Sequence, residues 1–170
     1  MITVIIPYYQ NKPGILAKAL KSIAAQKHLS VPVHVLVIDD ASPIPAKSEL
    51  EGIGPIDCNV QIILQPNGGP GAARNTGLDH APAGTRYIAF LDSDDEWSNE
   101  HLSRAAEALG AGYEFYFTDH FQLNSTIGAF ARAGRIQPSE HPQLPNTRPG
   151  LHAYQGDLLD QIIRGNVIGT

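Results

Sequence analysis

The chain has 170 residues, 42% of them apolar and 17% charged, a balance that excludes a disordered polymer and suffices for one domain with its own hydrophobic core. Acidic residues outnumber basic ones, 17 to 12, for a formal net charge of −5, and no Lys/Arg run relieves the surplus. That speaks against a nucleic-acid-binding surface.

In chain order, residues 2–6 (Ile-Thr-Val-Ile-Ile) form a short apolar run stopped by Pro7, which reads as a buried strand. Leu16, Ala19, Leu20, Ile23 and Ala24 recur at helical spacing, with Asn11 and Pro13 as start signals. Residues 33–38 form a second strand running into Asp39-Asp40. Ala46 to Ile53 reads as a short helix, Val60 to Leu64 as a third strand, Gly71 to Ala81 as a helix, and Arg86 to Leu91 as a fourth strand ending at Asp92. Asn99 is placed to cap a helix with Leu102, Ala105, Ala106 and Leu109 on one face. Phe115 to Thr118 reads as a fifth strand. Residues 134–150, rich in Pro and Gly, read as a mobile loop. Asp157 then caps a last helix carrying Leu158, Leu159, Ile162 and Ile163 and ending at Gly165. Strands alternating with helices predict an α/β fold, a Rossmann-like and mostly parallel sheet flanked by helices.

Cys58 is the only cysteine, which builds no internal disulfide and suits a reducing compartment. Met1-Ile2-Thr3 leads directly into a strand, so no signal peptide is expected and the location read from sequence is cytoplasmic. The sequon at Asn124 carries no meaning without secretion.

In a parallel sheet, ligands bind beyond the carboxyl ends of the strands. Three polar clusters fall there: Tyr8-Tyr9-Gln10-Asn11, Asp39-Asp40 and Asp92-Ser93-Asp94-Asp95. Three carboxylates within four residues repel one another unless a cation or water intervenes. Their hard oxygens suit Mg²⁺ or Mn²⁺, which commonly take one or two protein carboxylates together with substrate phosphates; the bland reading is an acidic turn capping the next helix. Asp39 is placed to accept from a base N–H or a ribose hydroxyl, or else to make a turn. Asn67 to Asn75 is a glycine-rich loop entering a helix, where backbone can approach a ligand and the helix start favours an anion, and Arg74 in that first turn is within reach of phosphate or carboxylate. One ring of the Tyr8–Tyr9 pair can stack on a base while the other is core.

Several alternatives lack their signatures. Arg74 stands where a dinucleotide fingerprint needs its third glycine, no Gly-Lys-Ser/Thr loop occurs, and Gly-x-Ser-x-Gly is absent. The seven histidines show no metal-ligand spacing, and His120, the one near a strand end, reads as structural. A nucleotidyltransferase would carry a basic, glycine-rich loop directly after the first strand, where this chain has Tyr-Tyr-Gln-Asn.

Four segments occur in order: Val4-Ile5-Ile6-Pro7-Tyr8-Tyr9-Gln10-Asn11, Val37-Ile38-Asp39-Asp40-Ala41-Ser42, Asn67 through Gly77, and Phe90-Leu91-Asp92-Ser93-Asp94-Asp95. Together they resemble the family 2 glycosyltransferases, inverting enzymes of GT-A fold. The resemblance implies a single GT-A-like domain over residues 1–170, with 1–118 as the nucleotide-sugar-binding core and 119–170 as the start of the acceptor side. It implies a nucleotide-diphosphate sugar as donor, usually of UDP, and Mn²⁺ or Mg²⁺ as cofactor. Tyr9 would lie against the base and Pro7 would shape its pocket. Asp39 would read the base, and Arg74 would stand near the base and the carboxylates. Asp92 and Asp94 would be the Asp-x-Asp pair, the first near the ribose and the second on the metal. The acceptor would be a glycan or a lipid-linked hydroxyl, the latter bringing the chain to the inner face of a membrane. The family's general base usually lies in a Glu-Asp segment, and none occurs between Asp119 and Thr170. Ile168-Gly169-Thr170 reads as chain cut in mid-course, so the base is expected beyond Thr170. A nucleotide-sugar-binding module without turnover is the alternative.

Overall fold

A computed structural model describes residues 1–159 and 161. The predicted Ile162, Ile163 and Gly165 fall outside them, whereas Leu158 and Leu159 are helical. The chain divides into two compact units, Met1–Ser103 and the remainder from Arg104. Among the described residues no helix is long and apolar enough to cross a membrane.

The first unit is a four-stranded parallel sheet, β1 (Ile2–Tyr8), β2 (Val33–Asp39), β3 (Asn59–Leu64) and β4 (Tyr87–Phe90), in the order β3-β2-β1-β4. Its helices are α1 (Leu16–Ala24), α2 (Ala46–Ile53) and α3 (Gly69–Asp79), and α4 (His101–Gly110) begins at its end. The β1→β2 and β2→β3 connections step one way across the sheet and β3→β4 steps back. Right-handed crossovers therefore put α1 and α2 on one face and α3 on the other. Ala73 of α3 accordingly shares a buried cluster with Ile5, Leu36 and Ile38, flanked by Ile63, Ile88 and Phe90. All seven residues of β1 are buried, as expected of a strand covered on both faces.

The first strand continues through Pro7 instead of stopping there. Ile5 accepts from the Leu91 N–H and Tyr8 accepts from the Asp40 N–H, so odd residues of β1 turn their peptide groups toward β4 and even ones toward β2. Pro7 faces the β4 side, where pairing ends at Ile5↔Phe90, so its missing N–H breaks no ladder bond.

The glycine at position 77 is required by close approach. A Cβ there would collide with the side chain of Ile5, which is fully buried and β-branched. Gly77→Ala is expected to cost about 1–3 kcal/mol through overpacking, more than the roughly 1 kcal/mol that alanine adds to helix propensity. Thermal melting should show a lower midpoint; an unchanged or higher one would mean that Ile5 gives way.

The helix at His101 does not take its cap from Asn99 as predicted. Gln26, just past α1, accepts the Leu102 N–H through Oε1 (2.9 Å) and donates through Nε2 to the Ser98 carbonyl (2.7 Å). Asn99 instead accepts the Lys27 N–H with its backbone carbonyl. A short side chain at the right offset was a sound local signal, but a distant amide filled the role.

In the second unit, Phe115–Thr118 forms no strand. Tyr116 packs with Ala108, Leu144, Leu151 and Ala153, while Phe117 packs with Phe130, Ile136, Ala133, Tyr154 and Leu158. The expected fifth strand is therefore absent: an apolar run of this length reports burial of Tyr116 and Phe117 in side-chain clusters but cannot announce a partner strand. A short helix α5 (Ala129–Ala133) follows, its Phe130 N–H donated to the Asp119 carboxylate at 3.0 Å. Residues 134–150 hold one 3-10 turn, Pro138–Glu140, and the Glu107 carboxylate accepts both the backbone N–H and the Nε of Arg148 at 2.7 Å.

Candidate functional site

Because all four strands run parallel, the loops after Tyr8, Asp39, Leu64 and Phe90 gather at one edge of the first unit. A closed ring of hydrogen bonds joins them. From the β1 loop, the Gln10 N–H donates to Ser42 Oγ (2.8 Å), Ser42 Oγ donates to the Gln10 carbonyl (3.0 Å), and Gln10 Nε2 donates to Ser93 Oγ (3.0 Å). Asp40 ties the β2 loop to the start of α3. Arg74, one turn into α3, reaches Asp92 after β4.

The Asp40 carboxylate is 3% exposed and fully engaged. Oδ1 accepts from Gln65 Nε2 (2.6 Å) and the Gly68 N–H (2.8 Å), and Oδ2 accepts from the Gly69 N–H (2.8 Å). Burial favours the neutral acid, but these donors outweigh it and hold the carboxyl below its usual range. Asp40 thus fills the place at the head of α3 where the sequence suggested that glycine amides await a ligand anion. Gly69 takes the left-handed conformation there (φ 83°), and Ala41 does so between the two engaged residues Asp40 and Ser42 (φ 55°).

Asp39, expected to read a base, is also 3% exposed. Its two oxygens accept the N–H groups of Ser42 and Ala46, each at 2.8 Å, the second being the first amide of α2. It therefore starts α2, and only its remaining lone pairs are open to another donor. Pro7 lies in β1 beside Ile38. The tyrosine pair splits as alternation predicts: Tyr8 is 1% exposed and Tyr9 54%. Burial and the nearby Glu49 push the Tyr8 phenol up to about 12.

Arg74 Nη2 donates to Asp92 Oδ1 at 2.6 Å, a pair roughly three-quarters withdrawn from solvent. Arg74 Nε is buried with no acceptor among the described residues. The Asp95 N–H donates to the Asp92 carbonyl and closes a turn over Ser93 and Asp94. Ser93 is buried at its floor, while the Asp94 side chain is exposed and, among the described residues, has no hydrogen-bond or ion-pair partner. Among the described residues no three His, Cys, Asp or Glu side chains form a ready-made metal cage.

Sequence reasoning missed the stitching residues Gln10, Ser42 and Ser93 and the buried Glu49, whose two oxygens accept the Gly14 N–H at 2.7 and 2.8 Å. Gln10, Ser42 and Ser93 lay inside the polar segments at the strand ends, but nothing in the sequence paired them; Glu49 left the signal of an acid on the face that Ala46, Leu50 and Ile53 mark as inward.

A four-stranded parallel sheet flanked by helices matches the architecture of the GT-A glycosyltransferases. Crystal structures of TarS from S. aureus share it: residues 1–349 superpose with a TM-score of 0.56 at 30% identity, covering 64% of this chain and 32% of that one. The sequence profile of glycosyl transferase family 2 matches residues 3–162, and the chain belongs to that family. It is 52% identical over 109 residues to the succinoglycan biosynthesis protein ExoW of Rhizobium meliloti, covering 64% of this chain and 34% of that protein. An uncharacterized glycosyltransferase of Rickettsia conorii is 43% identical over 175 residues, 96% of this chain and 28% of its own length. The chain thus spans about a third of the length of the curated relatives it matches.

Proposed function

We propose that the chain binds a nucleotide-diphosphate sugar, with UDP as the nucleotide, for transfer of the sugar to an acceptor hydroxyl with inversion. The observation that carries this reading is the turn after β4, where Asp92 is paired to Arg74 and Asp94 is presented to solvent with no partner among the described residues. Support for the donor comes from a TarS structure in complex with UDP-GlcNAc, which matches at a TM-score of 0.55 and 30% identity. Support for a polysaccharide-type acceptor comes from the succinoglycan biosynthesis protein.

In this reading Tyr9 lies on the base, Pro7 shapes its pocket, and Asp39 accepts a base N–H with a lone pair left over from its two backbone bonds. Arg74 holds Asp92 turned toward the ribose while its Nε remains a donor for the nucleotide. The residues fit Mn²⁺ or Mg²⁺ as a shared site: such ions usually take one or two carboxylates, with phosphate and water completing the shell, so Asp94, with Asp92 beside it, suffices without a protein-only cage. When bound, the ion would supply positive charge to the diphosphate leaving group. The chain's own part is to hold the base, ribose and diphosphate in register and to leave one face of the sugar open to the acceptor. With a lipid-linked acceptor, transfer would take place at the inner face of a membrane.

Calorimetric titration with UDP, dTDP and GDP, each with and without Mn²⁺, tests the donor site. UDP should bind best, and Mn²⁺ should strengthen it by about tenfold or more, about 1.4 kcal/mol. Equal affinity for all three nucleotides, or no effect of Mn²⁺, would overturn the reading. The absence of a Glu-Asp segment after Asp119 favours a second reading, donor binding without turnover. A transfer assay on this chain and on a longer natural one separates the two.

A further inference from the structure

Gln10 occupies a junction that the donor-site reading does not use. Its backbone is clamped to the β2 loop by the two reciprocal bonds with Ser42 and by the Ile44 N–H, which donates to the Gln10 carbonyl at 3.0 Å. Its side chain crosses to the other side of the edge and donates to Ser93 Oγ at 3.0 Å. Ser93 is 4% exposed and sits inside the turn closed by Asp95 and Asp92, one residue from the outward-facing Asp94. Tyr9 precedes Gln10 directly, so one residue links the exposed ring to the exposed carboxylate through a single amide.

We propose that Gln10 is a positioning residue that fixes the separation between the Tyr9 loop and the Asp92–Asp95 turn, and so the length of nucleotide diphosphate that spans them. The inference rests on the donor-site reading. Pulling Ser93 inward is what leaves Asp94 projecting, since consecutive side chains of a tight turn diverge. Without the link each half of the site still exists, but the two are no longer held at one spacing, and ordering them then opposes binding. Uridine, which meets the turn only at Asp92 through its ribose, loses little, whereas UDP, whose diphosphate must also meet the ion at the outward Asp94, loses more.

The test compares uridine and UDP, the latter with Mn²⁺, on the wild-type chain, Gln10→Ala, Ser93→Ala and the double variant, with Lys12→Ala, an exposed neighbour, as control. Ser93→Ala probes the same link should Gln10→Ala fold poorly. Expected is a loss of about tenfold in UDP affinity in either single variant, the scale of one polar contact, and less than twofold for uridine. The double variant should be no worse than the singles, the mark of a shared interaction. Hydrogen exchange at the Asp95 amide, which needs no nucleotide, should quicken in both singles and not in Lys12→Ala. Unchanged UDP affinity and Asp95 exchange in Gln10→Ala, with the wild type binding UDP, would overturn the positioning role alone, as would equal losses for uridine and UDP. Failure of the wild type to bind UDP would overturn the donor-site reading and this inference with it.

Discussion

Asp94→Ala is expected to erase the manganese dependence of UDP binding while leaving the metal-free affinity and the fold unchanged. The Asp94 side chain is exposed and, among the described residues, unpaired, so its removal breaks nothing internal, and stability should stay within about 0.5 kcal/mol of the wild type. In Mn²⁺ the loss should equal the whole manganese increment, about tenfold or more, because a hard divalent ion shared with a diphosphate has few protein oxygens to replace the missing one. Titration with UDP in Mn²⁺ and in chelator gives both numbers. A variant that kept the full manganese increment would remove Asp94 from the metal; one that lost affinity equally with and without the ion would place Asp94 on the nucleotide itself.

Asp40→Ala should act on stability instead. Its carboxylate satisfies the amides of Gly68 and Gly69 and the side chain of Gln65 at a place with almost no solvent. Deleting it strands three donors and leaves a void, with an expected cost of about 3–5 kcal/mol, or roughly 10 °C in melting temperature. Asp40→Asn should fall between, since its amide can keep the Gly68 and Gln65 bonds but turns a donor toward the Gly69 N–H. The acid response follows from the same bonds. The folded-state carboxyl titrates below its unfolded value, so its stabilisation is complete above the ordinary aspartate pKa and is lost as pH falls through the lowered one. Melting curves from pH 6 downward should therefore be flatter at the acid end for Asp40→Ala than for the wild type. A melting temperature within 2 °C of the wild type for the alanine variant, on the scale of less than about 1 kcal/mol, would refute this account.

The sheet was legible because β1 and β2 are buried on both faces, and such strands show as unbroken apolar runs. The edge where the polar loops gather was legible because the apolar runs of a parallel sheet all end at its carboxyl side. The fate of each acid was not. Asp39 and Asp40 are adjacent and equally buried, yet one starts α2 and the other closes the head of α3. Neither partner lies at a spacing that sequence periodicity can report. The same limit hid Gln10, whose partner is Ser93, 83 residues away. Pro7 was misread for a related reason: its cost depends on which neighbour its peptide faces and where that neighbour ends.

The anion at the head of α3 belongs to the protein itself, so the positive pole of that helix is already neutralised from within. At this edge the Arg74 guanidinium is paired to Asp92, and Asp94 and Asp95 follow in the same turn. In the proposed function, a bare diphosphate arriving there meets its own sign, whereas one escorted by a divalent ion does not. Charge alone would then let the cleft tell an ion-loaded donor from naked nucleotide before any sugar is inspected.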